Sequence, residues 1–98
     1  MTATYCKFAE EKLKKGNRPD AFNWWAKAKE VDPADAEANK GLASLEKYAL
    51  KKYREGYMLA GQGSTAGATK CFKEVLQILP ENHGYYIKSQ RKLLEIDR

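Results

Sequence analysis

Gly16 to Pro33 reads GNRPDAFNWWAKAKEVDP, and forty-seven residues further on Gly63 to Pro80 reads GSTAGATKCFKEVLQILP. In both stretches a Gly is followed five residues later by Ala, then four later by an aromatic. Three residues on comes Ala or Val, and five after that Pro. Gly16, Ala21, Trp25, Ala28 and Pro33 thus correspond to Gly63, Ala68, Phe72, Val75 and Pro80. A repeat of this kind decides the architecture of so short a chain.

Working outward from the repeat, a first helix is expected from about Ala3 to Lys15, with Tyr5, Phe8, Ala9 and Leu13 at the three/four spacing of an amphipathic helix. Gly16 and Asn17 end it as a left-handed cap would. The second helix starts near Pro19 with Asp20 beside it and carries Ala21, Trp25 and Ala28 inward. Asp32–Pro33 stops it, because a residue before proline is pushed out of the helical region. Asp35 is a plausible N-cap for the third helix, whose stripe is Leu42, Leu45, Ala49 and Tyr53. Lys51, Lys52 and Arg54 before Gly56 read as its end, with residues 57–67 a glycine-rich loop holding at most one helical turn at Tyr57–Ala60. Ser64 or Thr65 would cap a fourth helix carrying Ala68, Phe72, Val75 and Leu76. A fifth runs from about Gly84 to Ile96 and buries Tyr86, Leu93 and Leu94. No segment alternates with period two, so the expected fold is all-α, with about five helices.

The chain has 98 residues, enough for one small domain, and 43% of them are hydrophobic. Eighteen basic residues against thirteen acidic give +5, a mild preference for anionic partners, with the charges mixed along the chain. No run of eighteen apolar residues and no basic–apolar–small leader at Met1 is present, so neither a membrane span nor secretion is expected, and the cysteine usage fits a reducing, cytoplasmic setting. The initial Met and abrupt ends would equally fit a fragment of a longer protein. Cys6 and Cys71 are too few for a disulfide framework or a zinc site and read as small buried hydrophobes.

The order small–x3–aromatic–x2–small–x4–Pro, with Gly five residues upstream, resembles the tetratricopeptide (TPR) repeat. The resemblance implies units of two antiparallel helices that stack into a superhelix: repeat one over 2–35, repeat two over 36–82, and a capping helix over 84–97. The first-helix half of the motif departs from the family at Lys12 and Asn39, where aromatic residues are usual. The second unit is forty-seven residues long where about thirty-four is usual, an insertion near 50–62. The third helix is therefore expected to overshoot its partner and to end near Glu55, followed by a mobile return loop.

Few residues here suggest reaction chemistry. Gly61, Gly63 and Gly67 do not reproduce the phosphate-binding GxxxxGK[ST] pattern. His83 is the single histidine, has no nucleophile or acid–base partner in sequence, and reads as a solvated turn residue. No enzyme activity, cofactor or metal is expected. Trp25 is core by the repeat, and Trp24 packs on a neighbouring unit or stays partly exposed.

The resemblance also implies a peptide groove on the inner face of the first helices. On this chain that face would hold Cys6, Glu10, Leu13 and Lys14, then Glu37, Lys40, Ser44, Lys47 and Tyr48, then Gly84, Ile87, Arg91 and Glu95. Lys40, Lys47 and Arg91 would suit an acidic or carboxylate-bearing segment. Cys6, Glu10 and Gly41 occupy positions where chaperone-tail-binding members carry Lys or Asn, which argues against that specific role. The insertion offers a second surface, Tyr48, Tyr53, Tyr57, Met58 and Leu59 with Lys51, Lys52 and Arg54. The expected function is a non-catalytic scaffold or adaptor that binds a peptide or partner protein. The alternative is a nucleic-acid-binding module built on Lys51–Arg54. Self-association through an uncapped repeat face is a third reading.

Overall fold

The helix boundaries have local causes, and the two repeated glycines supply the clearest. A computed structural model describes residues 2–96, which form α1 (Thr2–Lys14), α2 (Arg18–Val31), α3 (Ala36–Gly61), α4 (Thr65–Leu76) and α5 (Gly84–Ile96), with no strand among them. Residue 97, the expected end of the capping helix, lies outside the described residues. Gly16 adopts φ +80° and Gly63 φ +82°, a region open to glycine at no steric cost. The backbone N–H of Gly16 donates to Leu13 and that of Asn17 to Lys12. In the same way Gly63 donates to Ala60 and Ser64 to Leu59. Each glycine therefore closes a helix with the same pair of bonds, a Schellman motif. Asn17 caps α2 by accepting from the Asp20 N–H at 3.2 Å, and Asp35 caps α3 by accepting from Ala38 at 2.9 Å. Ser64 stands at the N-cap of α4 without a side-chain cap bond.

The third helix corrects the sequence reading. It does not end near Glu55 but runs unbroken for 26 residues to Gly61, and the expected loop over 57–67 shrinks to the turn at residues 62–64. Nor does it overshoot an unmoved partner. The second helix of the unit has shifted along it instead. Lys52 meets Glu74 and Gly56 meets Phe72 and Cys71, while Leu59 lies against Gly67. These pairs place α4 antiparallel to the C-terminal half of α3.

The N-terminal half of α3 packs against α2, with Gly41 under the Trp25 ring and Tyr48 beside Arg18. A Cβ built on Gly41 would lie 2.5 Å from ring carbons of Trp25, and one on Gly56 would lie 2.9 Å from Phe72 Cε1. Both are far inside van der Waals contact, so only glycine lets the rings sit this close. The two equivalent aromatics of the repeat thus seat in two notches of one helix, roughly 22 Å apart at 1.5 Å per residue. Gly56 is a packing site inside the helix and not its terminus.

Around this rod the α1–α2 hairpin covers one half, and α4 with α5 covers the other. The molecule is correspondingly elongated, 47 × 24 × 17 Å. The chain after α4 closes the junction. Ile78 and Leu79 are buried there, and the His83 ring meets Phe22 edge-on at 5.4 Å. His83 also lies 3.8 Å from Glu46 and accepts from the Tyr85 N–H through Nδ1, so it is a packed junction residue and not a solvated one. Ala9, Ala21, Ala28, Leu42, Leu45, Ala49, Ala68, Phe72 and Val75 are buried as expected, as are both cysteines. Leu94, expected inside, is 66% exposed; Ser89 takes the most buried place on α5. Phe8 and Leu13 are also partly exposed, because Cys6 and Ala9 form the contact of α1. Trp24 lies against Tyr5 and Phe8 of α1, within its own hairpin.

Candidate functional site

A continuous helix puts every residue of its outer face in one frame. At about 100° per residue, side chains three and four positions apart line up. Lys47, Tyr48, Lys51, Lys52 and Arg54 accordingly line one open groove of about 690 Å³, together with Ser44, Glu55 and Met58. Five of the eight residues expected to bind a partner are brought together. Lys40 is exposed on the same face one turn before Ser44. Tyr57 points elsewhere. It lies about 120° round the helix from Lys51, next to Tyr53 and with the Lys92 ammonium of α5 4.9 Å from its ring centroid. Arg91 is exposed on α5 and does not line the groove.

The cations of the groove are not equivalent. Lys52 donates to Glu74 at 3.3 Å and lies 3.8 Å from Glu55, so it ties α3 to α4. Its ammonium is held above the usual lysine value, first by the hydrogen bond and charge of Glu74 and, less, by Glu55, with burial opposing them. Lys52 is therefore a structural residue and not a free binding cation. Lys47, Lys51 and Arg54 form no ion pair among the described residues. Tyr48 has Arg18 at 5.4 Å and Lys52 at 5.9 Å from its ring centroid.

The charge is also unevenly spread, contrary to the mixed distribution expected. Residues 2–46 carry eight basic and eight acidic side chains, whereas residues 47–96 carry nine basic and four acidic. The net +5 therefore belongs to the distal half of the rod and what packs on it. Counting charge by halves of the chain would have found this without a structure.

The inner face expected on α1 is not open in the same way. Cys6 is buried, with its thiol 3.8 Å from Asp35 Oδ1. Burial first, and then the charges of Asp35 and Glu37, push that thiol up to about 11 from an ordinary 9.0. Asp35 itself is held low by the N–H of Ala38 that it caps. Glu37 is raised by sharing a hydrogen bond with Glu10 across α1 and α3. A crowded acidic seam lies where the first turn of a basic peptide groove was expected. Cys71 is likewise raised, mainly by burial.

The sign of the Cys6 effect gives a test. Its folded value lies above its unfolded one, so the stabilisation is fully present below pH 9 and is lost as pH rises towards about 11. The urea midpoint of the native protein is expected to fall more steeply across that window than that of Cys6→Ala. Equal slopes would contradict the buried position of the thiol. In the folded protein at neutral pH, iodoacetamide should modify neither cysteine at an appreciable rate.

No group of three or more potential metal ligands occurs among the described residues, and none of their helices is long and apolar enough to cross a membrane. Comparison of the chain with protein-family models, with curated proteins and with solved structures gives no match.

Proposed function

We propose that the chain is a non-catalytic, TPR-like helical-repeat module that docks a partner protein on the outer face of α3, acting as a scaffold or adaptor. The observation that carries this reading is the groove over Ser44–Met58 with its cations Lys47, Lys51 and Arg54, which form no ion pair among the described residues. Support for the repeat comes from the equivalence of its two halves. Gly16 and Gly63 close helices in the same conformation, Ala21 and Ala68 are fully buried, and Trp25 and Phe72 both seat on glycines of α3. Two unpaired buried cysteines favour a reducing, cytoplasmic setting.

The extra length of the second unit converts a helix that a standard repeat would cover over one half into a longer rod with a free side. Tyr48, Arg54 and Met58 are of the types enriched at interfaces, and the lysines around them supply charge for an acidic partner. A photo-cross-linking phenylalanine analogue at Met58, which removes no charge, tests the reading in cells that make the protein. Expected is a protein adduct that disappears when Lys47, Lys51 and Arg54 become alanine, and no such adduct from the same analogue at Lys29 on α2. Adducts to nucleic acid, or equal protein adducts from both positions, would count against it.

A further inference from the structure

Lys40, Ser44, Lys47, Lys51, Arg54 and Met58 follow one another along α3 at steps of four, three, four, three and four residues. All six are exposed, and the helix carrying them is unbroken. That is the spacing of a helix-packing seam, the a and d positions of a heptad, sustained over about 27 Å. In a self-associating coiled coil those positions are apolar. Here four of the six are cations, with Ser44 second in the row and Met58 at the end.

We infer that this seam receives an acidic α-helix of a partner protein, laid along α3 with its carboxylates facing Lys40, Lys47, Lys51 and Arg54. The inference rests on the docking face proposed above and names what it takes. Charge complementarity selects the occupant. A second copy of α3 would bring like charges together in either direction, since the parallel register sets Lys47 and Lys51 against themselves and the antiparallel one sets Lys47 against Lys51. Heptad spacing matches the side-chain repeat of another helix, and glutamates at the corresponding positions would meet each cation once per turn or two.

Single-stranded nucleic acid fits less well. Its binding needs open aromatic faces on which bases stack. The two exposed tyrosines near the seam, Tyr48 and Tyr57, form no row of such faces: nine residues apart, they lie on opposite sides of α3, and each already holds cations near its ring, Arg18 and Lys52 at Tyr48 and Lys92 at Tyr57. The partner's apolar edge has a place too, because Leu50 and Met58 line the same groove.

The test uses the whole chain and two labelled synthetic peptides of about three heptads. One carries Glu at every a and d position on an Ala/Gln background. The other has the same composition in scrambled order. Fluorescence anisotropy is expected to show the patterned peptide binding at least tenfold more tightly than the scrambled one. K47A/K51A/R54A should remove that preference while leaving the thermal midpoint near the native value, since all three side chains are exposed. Equal affinity for the two peptides would overturn the inference and reduce the face to a diffuse positive field. Tighter binding of an oligothymidylate of matching length would overturn it in favour of nucleic acid, and its affinity would then fall steeply with salt. If both peptides fail while the Met58 analogue still captures a protein, the helical acidic occupant is wrong and the docking face stands. If that capture fails as well, both readings fall.

Discussion

Phe72→Ala is expected to lower the unfolding free energy by about 3–5 kcal/mol, the range for losing a buried aromatic. Phe72 is fully buried, 5.6 Å from the Tyr53 ring by centroid, and directly faces Gly56. The cost of such a truncation depends on how far the surroundings can collapse into the space left. Here the opposite wall is a glycine in the middle of a helix, with no side chain to swing inward. A domain of this size has roughly 5–15 kcal/mol in total, so a large share of the native population is at stake. Urea denaturation followed by far-ultraviolet circular dichroism measures it. The notch makes a sharper expectation available. Gly56→Ala should destabilise the native protein, because the new Cβ meets the ring at 2.9 Å. In the Phe72→Ala background the ring is gone and only Cys71 Cβ, 3.1 Å from the new Cβ, still crowds it, so the same change should cost clearly less there, offset by up to about 1 kcal/mol of helix propensity. Additive effects of the two substitutions would contradict the ring-on-glycine contact.

Met58→Pro is expected to cost about 3 kcal/mol or more, although the side chain it removes is 59% exposed. The cost comes from the backbone. Proline at this position deletes the N–H that bonds to the Arg54 carbonyl and drives its ring into that carbonyl. In a flexible loop over 57–67 the same substitution would be nearly neutral. A loss below about 1 kcal/mol would therefore show that α3 ends before this residue, within the usual spread for surface changes. Because the residue also closes the basic seam, the variant should lose partner docking in step with its stability.

How much of this was legible in the sequence differs from element to element. The five helices, the two caps at Gly16 and Asp35 and most of the core followed from apolar spacing and from the repeat. The end of α3 is not legible locally, because two signals point to a stop near Glu55. Lys51, Lys52 and Arg54 before Gly56 look like a helix end, and glycine lowers helix propensity by about 1 kcal/mol. Yet Gly56 is paid back by the close seating of Phe72, a contact between residues sixteen apart that no local rule sees. The remedy lay inside the repeat itself. Gly16 reads as the cap of a helix, Gly63 is its equivalent, and so Gly63 caps a helix as well.

The candidate site was half legible for the same reason. Lys47, from the implied inner face, Lys51 and Arg54, from the insertion, and Tyr48, common to both, share one groove. Lys52 was picked with them, but its ion pair with Glu74 depends on the shift of α4 along α3, which composition does not reveal. Arg91 belongs to the inner repeat face that the resemblance implies and Tyr57 to the insertion surface, and neither lines the groove: Arg91 sits on α5, and Tyr57 lies on the side of α3 that meets Lys92 of α5. The seam itself became visible only once α3 was known to be continuous, since a helix ending at Glu55 breaks it before Met58.

Fold and docking face both depend on α3 being one rod as far as Gly61. Spin labels on cysteines introduced at Lys40 and Gly61 measure this directly, because Lys40 is exposed, a side chain at Gly61 meets nothing within 4 Å, and both native cysteines are buried. Twenty-one residues of α-helix separate the two backbone positions by about 32 Å. Pulsed electron paramagnetic resonance on the labelled protein should give a single narrow distance distribution centred near that length, allowing for the label arms. A broad distribution, or one centred well below it, would mean that the chain turns back after Glu55 and that neither the second notch nor the seam exists as described.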